Sequence, residues 1–498
     1  MLHKFAVAFV TLFIFWGCAK NEEPVVQEGW QILEDSWYSV TIDGVKSGWA
    51  HDTTEIDGAT KNVKSSKTQN MTLSRGGIEI SIVVTSVFLE TDDGKPISVV
   101  SSQEAMGQVQ ETTWLFGSDS IEMTTSAGGT PIVKEVPLPL ESWLTPNALR
   151  KMFKQKIKDG NPVFTFQTMS SELGPSLITV VMTKIGEETR DILGKETHVT
   201  IWESVNDKMP IGSTEVYTID GANVGTSIAA AFGAIVNTLM YKHDALSPLN
   251  EVPELMVSLF VEPNKKIDNS KKRLSLKIKS KDGSAVDLPS AGYQTASRND
   301  DGTAILIIDL HKPSAATEIE LNDESYLADT AICDGSDEAV RVIAHDTISA
   351  MPKNSTKADQ ALALRATVYD YIDEKGMSTA FGSASQTARD KKGDCSEHAV
   401  LLCGLLRAAG IPSRGVMGMV YIPNYNSPNG VFGWHMWTQA LIDGEWIDLD
   451  ATLLEPFTVG HVATMTSSLS DEGMAAEMAG IMSTIGNLEV EVVEEDEQ

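Results

Sequence analysis

Gly393-Asp394-Cys395-Ser396-Glu397-His398-Ala399 sets a cysteine directly after an aspartate, at the mouth of a run with helical spacing. Asp394 is a good N-cap, so Cys395 is expected in the first turn of the helix it opens. Ala399, Leu402, Cys403 and Leu406 give that helix an apolar stripe, and Gly410-Ile411-Pro412 ends it. The placement has chemical consequences. Backbone N–H groups and the positive end of the helix dipole favour thiolate over thiol, and the same N–H groups can face a developing oxyanion.

A thiol nucleophile needs a base, and the base an orienting partner. Trp434-His435-Met436-Trp437-Thr438-Gln439-Ala440-Leu441-Ile442 alternates as a strand does, and Asp443-Gly444 separates it from Glu445-Trp446-Ile447-Asp448-Leu449-Asp450-Ala451-Thr452. A two-residue hairpin there sets Ile442 opposite Glu445, Trp437 opposite Asp450 and His435 opposite Thr452. His435 and Asp450 become diagonal neighbours on one face, roughly 5.5–8 Å apart, close enough for a carboxylate–imidazole hydrogen bond. Asp448 faces the same way one pair further along and is the weaker partner. His398 lies one turn beyond Cys395 on the same helix and is poorly aimed at it. Trp437, on a strand, is expected in the core. His51 and His198 stand alone and are expected as surface or satisfied core groups.

The elements that must position this set sit late in a long chain. At 498 residues, two to four domains are expected. From Trp30 to about Gly221 strand-like runs are punctuated by Asp-Gly pairs, which predicts an antiparallel β-rich region with a basic helix near Thr145 to Lys158. The uncharged run Thr226 to Met240 is expected as a buried helix. A second β-rich piece spans about Met256 to Ile332. Helical patterns return at Glu338 to His345 and Lys357 to Ile372. The resulting division is 1–18 export signal, 19–29 tether, 30–245 β-rich N-terminal domain, 246–335 β-rich middle module, 336–470 catalytic-type domain and 471–498 acidic tail, whose end is expected to fray.

Lys4 followed by the apolar run Phe5 to Trp16 suits the h-region of an export signal and is too short to span a bilayer. With Gly17-Cys18 after it, the segment resembles a bacterial lipoprotein signal, which implies lipidation at Cys18, although Phe15 and Trp16 depart from that pattern. An exported chain with four cysteines (Cys18, Cys333, Cys395, Cys403) is not a disulfide scaffold. Cys395 and Cys403 on one helix lie roughly 12 Å apart along its axis, too far to bridge. That leaves Cys333 as the residue able to pair with either, and Cys403 is expected as a small buried apolar group.

The cysteine segment, with Leu401-Leu402 and Leu405-Leu406-Arg407-Ala408-Ala409-Gly410-Ile411-Pro412-Ser413-Arg414 after it, resembles the cysteine motif of the bacterial transglutaminase-like superfamily. Gly433-Trp434-His435-Met436-Trp437 resembles that family's histidine motif and Trp446-Ile447-Asp448-Leu449-Asp450-Ala451-Thr452 its aspartate motif. Met436 and Ala451 depart from the usual Ala and Pro. The resemblance covers about Ala358 to Thr452. It implies a papain-like α+β core at the C-terminal side, with Cys395 as nucleophile, His435 as general base and acid, and Asp450 orienting the imidazole.

The expected protein is therefore multidomain: a transglutaminase-like domain behind antiparallel β-rich domains. Its expected function is cysteine-dependent acyl transfer on amide bonds of a protein or peptide-like substrate, with hydrolysis preferred to transamidation. The alternative is a non-enzymatic envelope binding or assembly protein carrying the same fold. The expected location is the periplasm or cell envelope, with the membrane contacted through the lipid anchor. No cofactor is expected, since neither a metal-spaced His/Cys cluster nor a phosphate-binding glycine loop is visible. A formal charge of −30 disfavours nucleic acid.

Overall fold

The computed structural model describes residues 29–493 apart from 76, 172, 209–211, 230–232, 255–259, 377–381, 426 and 472–485. Cys18, the apolar leader and the tether up to residue 28 lie outside the described residues. Among the described residues, no helix is long and apolar enough to cross a membrane.

The first half is one antiparallel sheet of fourteen strands. β1 (Trp30–Ile42), β2 (Val45–Asp57), β3 (Val63–Arg75), β4 (Ile78–Glu90), β5 (Pro96–Ala105), β6 (Gln108–Phe116), β7 (Ser120–Ser126) and β8 (Ile132–Pro137) form one meander. β9 (Val163–Met169), β10 (Leu177–Ile192), β11 (Lys195–Asn206), β12 (Ser213–Thr218), β13 (Asn223–Ile228) and β14 (Ile235–Met240) form the second. The two are joined where β1 pairs with β14, Trp37 opposite Met240 and Ile42 opposite Ile235. Helix α1 (Pro146–Lys158) links the meanders and packs Phe153 and Ile157 against Phe164, Ile178, Trp202 and Tyr217. Its N-terminus is capped from the sheet: the buried Glu90 carboxylate accepts the Asn147 N–H at 2.7 Å and the Thr145 hydroxyl, a negative charge at the positive end of the helix dipole.

Two expectations fail here. The run Thr226 to Met240 is not a helix; its described residues lie largely in β13 and β14. Ile228, Ile235, Val236 and Thr238 are β-branched, and pairing with β12 and β1 gives their backbone groups partners that the local pattern does not reveal. The acidic end does not simply fray either. β25 (Leu488–Val492) joins a four-stranded sheet in the order β16-β17-β15-β25, made with β15 (Arg273–Ser280), β16 (Gln294–Arg298) and β17 (Ala304–Asp309).

The remaining elements build an α+β unit. After α2 (Lys242–Ala245) and α3 (Glu318–Leu321) come the helices α4 (Glu338–Ser349), α5 (Lys357–Tyr371), α6 (Ala384–Asp390) and α7 (Cys395–Ala408). A five-stranded sheet runs β18-β23-β22-β21-β24, from β18 (Ser314–Ala315), β21 (Ser413–Ile422), β22 (Val431–Ile442), β23 (Glu445–Leu449) and β24 (His461–Ser467). The short parallel pair β19 (Glu374–Lys375) and β20 (Lys392–Gly393) ties the end of α5 to the approach to α7. α7 is the hub: every residue from Cys395 to Arg407 is buried, wrapped by α4, α5 and α6 and lying on β21 and β22. Its Leu401, Leu402 and Leu405 share one core with Leu276, Ile278 and Leu306 of the middle sheet. The molecule is thus multidomain, a large β-rich sheet followed by a smaller α+β unit.

Candidate active site

The first turn of α7 is fixed by reciprocal caps. Asp394 Oδ1 accepts the Ser396 N–H at 2.8 Å and the Ser396 hydroxyl at 2.7 Å, while Glu397 Oε2 accepts the Asp394 N–H at 2.9 Å. Glu397 Oε1 also accepts the Gly382 N–H at 2.9 Å, which ties the preceding loop to this turn. Burial and the neighbouring Asp394 carboxylate push Glu397 up to about 7. Cys395, at the start of this turn, is 7% exposed.

The hairpin that carries the other two residues has the register derived from sequence: Ile442 pairs with Glu445 and Thr438 with Leu449, with Asp443 and Gly444 both at positive φ. The ladder stops at Leu449, and Asp450 follows it into a tight loop. Arg365 of α5 holds that loop by donating to the carbonyls of Asp450 at 2.5 Å, of Leu453, and of Leu454 at 3.0 Å.

His435 Nε2 lies 2.7 Å from Asp450 Oδ2. The Cys395 thiol is within hydrogen-bond and charge range of the same ring, and with Nε2 committed, Nδ1 is the nitrogen left for it. Burial alone would lower the His435 pKa; the Asp450 charge, its hydrogen bond and Cys395 together push it up to about 10. Burial would likewise raise Asp450, yet the His435 charge and hydrogen bonds from both His435 and His461 hold it far below the usual carboxylate range. The structure therefore brings Cys395, His435 and Asp450 together.

The other sequence candidates are engaged elsewhere. Asp448 Oδ1 accepts Trp437 Nε1 and Gln439 Nε2, each at 2.7 Å, and Oδ2 accepts the Tyr293 N–H at 2.8 Å. His398 is buried with Nδ1 2.6 Å from the Asp394 carbonyl, and burial lowers its pKa. Trp437 is core. Cys333 and Cys403 are fully buried and within reach of each other.

One residue escaped the sequence reading. His461, first in β24, places Nε2 3.0 Å from Asp450 Oδ2. It has no local signal, because β24 reaches the site by pairing with β21, not with the hairpin itself. His435, Asp450 and His461 bring one potential ligand atom each within 4.8 Å of one another, close enough to hold a metal ion. The two imidazole–carboxylate hydrogen bonds account for the same closeness.

A buried helix with a cysteine in its first turn, packed on an antiparallel sheet that presents a histidine and an aspartate, is the kind of α+β core that the motifs implied. Residues 344–451 match the model of the transglutaminase-like superfamily, so the chain carries a transglutaminase-like domain there. No curated protein matches the chain. Among solved structures, similarity extends to a candidate cysteine protease from Cytophaga hutchinsonii, at 18% identity and a TM-score of 0.29 over 48% of this chain and 89% of that one. The periplasmic domain of TgpA from Pseudomonas aeruginosa, bound to ethylmercury, matches at 16% identity and a TM-score of 0.25, over 38% of this chain and 74% of that one. A β-barrel-like protein of a domain of unknown function from Brucella abortus matches at 7% identity and a TM-score of 0.33, covering 41% of this chain and 94% of that one.

Proposed function

We propose that this chain is an exported, lipid-anchored cysteine enzyme that transfers acyl groups from amide bonds, with Cys395 as nucleophile, His435 as base and acid, and Asp450 as the orienting carboxylate. The supporting observation is the position of the His435 ring, with the Asp450 carboxylate at 2.7 Å on one side and the Cys395 thiol within reach on the other. The Cys395 thiolate attacks the amide carbonyl carbon, and the oxyanion gains from N–H groups at the start of α7. His435 Nδ1–H then protonates the leaving amine as the C–N bond breaks, which leaves a thioester and a neutral imidazole. Water attacks the thioester, gives a proton back to His435, and frees the acid and the thiolate. Hydrolysis is preferred to transamidation because excluding water takes a dedicated enclosure.

The substrate class is a protein or peptide-like amide. The apolar leader and Cys18 support export to the envelope and a lipid anchor; metabolic labelling with palmitate that vanishes in Cys18→Ala tests the anchor. The surplus of acidic residues speaks against nucleic acid. A fourteen-stranded sheet far larger than any scaffold the triad needs favours a second reading, a non-enzymatic binding or assembly module. A thiol-reactive amide probe decides between them. Labelling of Cys395 at neutral pH that is lost in His435→Ala supports the enzyme, and wild-type labelling no faster than a free thiol supports the module.

A further inference from the structure

Asp450 sits just past the last ladder pair of its hairpin, where a side chain is free to rotate unless its oxygens are engaged. Both are. Oδ1 accepts the Thr452 N–H at 2.7 Å and the Leu453 N–H at 3.4 Å. Oδ2 meets two imidazoles, His435 at 2.7 Å and His461 at 3.0 Å. His461 approaches from the opposite side of the sheet order from β23, and it is 1% exposed.

The other ring nitrogen of His461 is also engaged. Nδ1 lies 3.3 Å from the Thr458 N–H, which can only donate, and 3.2 Å from the Thr458 hydroxyl. Asp450 Oδ2 is a carboxylate oxygen that can only accept, so Nε2 carries a proton and donates to it. The Thr458 carbonyl lies 3.1 Å from Nδ1, so that nitrogen has a partner with or without a proton. Asp448 and the His435 ring, its centroid 5.9 Å away, are the other titratable groups beside this ring. The ring itself cannot swing: it stacks on Phe457 with centroids 4.2 Å apart and meets the Trp437 ring edge-on at 5.2 Å. Its backbone is held by pairing with Val420.

We propose that His461 is a positioning residue for the acyl-transfer centre, a fixed N–H donor that keeps Asp450 Oδ2 aimed at His435 Nε2 throughout the reaction cycle. This rests on the reading of Cys395, His435 and Asp450 as a triad. Through that cycle Nε2–H of His435 stays with Asp450, and only Nδ1 exchanges a proton with Cys395 or the leaving amine. A carboxylate held at both oxygens keeps that tautomer in place; one held only at Oδ1 is free to turn Oδ2 away.

The test compares His461→Met, which fills the space without a donor, with His461→Gln, whose amide N–H reaches toward Oδ2, in the full-length protein. The readout is the rate of Cys395 alkylation by iodoacetamide from pH 4 to 10, site-mapped by mass spectrometry, with thermal unfolding as a fold control. His461→Met is expected to alkylate about tenfold more slowly at neutral pH and to move the acid-side inflection, while His461→Gln stays within about threefold of wild type. Equal profiles for Met, Gln and wild type overturn the proposal. If His461→Met does not fold, His461→Asn, whose shorter amide stops before Oδ2, replaces it, and equal rates for Asn and Gln again overturn it. A wild type no more reactive than a free thiol removes the triad itself. A reactive wild type, a slow His435→Ala and an unchanged His461→Met remove only the role of His461.

Discussion

Replacing Asp450 by Asn changes one atom and tests most of the mechanism. The carboxylate receives N–H donors at both oxygens: His435 and His461 at Oδ2, Thr452 and Leu453 at Oδ1. An amide has one accepting oxygen, so either the two imidazoles or the two backbone N–H groups lose their acceptor. The charge that offsets the burial of the His435 imidazolium also disappears. With it, His435 is pushed up to about 10; without it, burial opposes the protonated ring and only Cys395 still favours it, so the ring falls back toward its ordinary value of 6.5. The full difference is about three to four powers of ten in proton affinity, so on the order of 4–5 kcal/mol is an upper bound on the lost stabilisation of the thiolate–imidazolium pair. Asp450→Asn is therefore expected to slow alkylation of Cys395 by iodoacetamide at pH 7 by about 10²- to 10³-fold, allowing for partial relaxation. The acid limb of the profile should move toward that of an isolated thiol. Unfolding in urea should show a loss of about 1–3 kcal/mol for the donors left without an acceptor. A folded Asp450→Asn protein that alkylates within about threefold of wild type, with the same pH profile, would refute the reasoning.

Other variants probe the supports. Arg365→Met strips three carbonyls of a buried donor and should cost about 3 kcal/mol in urea unfolding, with Cys395 reactivity falling as the Asp450 loop loosens; an unchanged midpoint would show that the loop stands without it. Gly418 pairs with His435, and a Cβ there would lie 2.1 Å from the Val462 carbonyl oxygen, so Gly418→Ala should lower stability by about 2 kcal/mol or more, read as a drop in Tm. Native alkylation with mass mapping should label Cys395 well before Cys333 and Cys403, which are fully buried; equal labelling would contradict the packing around α7. Glu397 ordinarily titrates near 4.5 and is pushed up to about 7, so the folded form holds its proton more tightly than the unfolded chain. Its contribution is complete below 4.5 and declines as pH rises toward 7. The urea midpoint of wild type relative to Glu397→Gln should fall over that window, and parallel curves would count against the shift.

The local parts of the site were legible because they depend on short-range rules. An aspartate before Cys395 predicts a cap, and Asp443-Gly444 predicts a turn whose register carries Asp450 to His435; both follow from backbone sterics within a few residues. Asp448 could be ranked below Asp450 by the same count, and the structure gives it to Trp437, Gln439 and Tyr293. What was missed depends on strands that meet far apart in sequence. His461 reaches Asp450 through β21, and the run read as a helix before Met240 becomes strand by pairing with β1, some two hundred residues earlier. The signal at the end of the chain was present but overshadowed by charge: Leu488-Glu489-Val490-Glu491-Val492 alternates with a period of two, and Leu488 and Val490 are buried.

That closing strand constrains how the molecule can be assembled. Arg273–Ser280 is made early, but its neighbour Leu488–Val492 emerges only after the whole catalytic-type region. Until then one margin of the middle sheet presents unpaired amides and carbonyls, an invitation to pair with the wrong chain. The late segment guards against this in its own sequence, since each apolar residue in it is followed or preceded by a glutamate. Trimming the chain just before Leu488 should therefore harm assembly more than its position beyond the candidate site suggests.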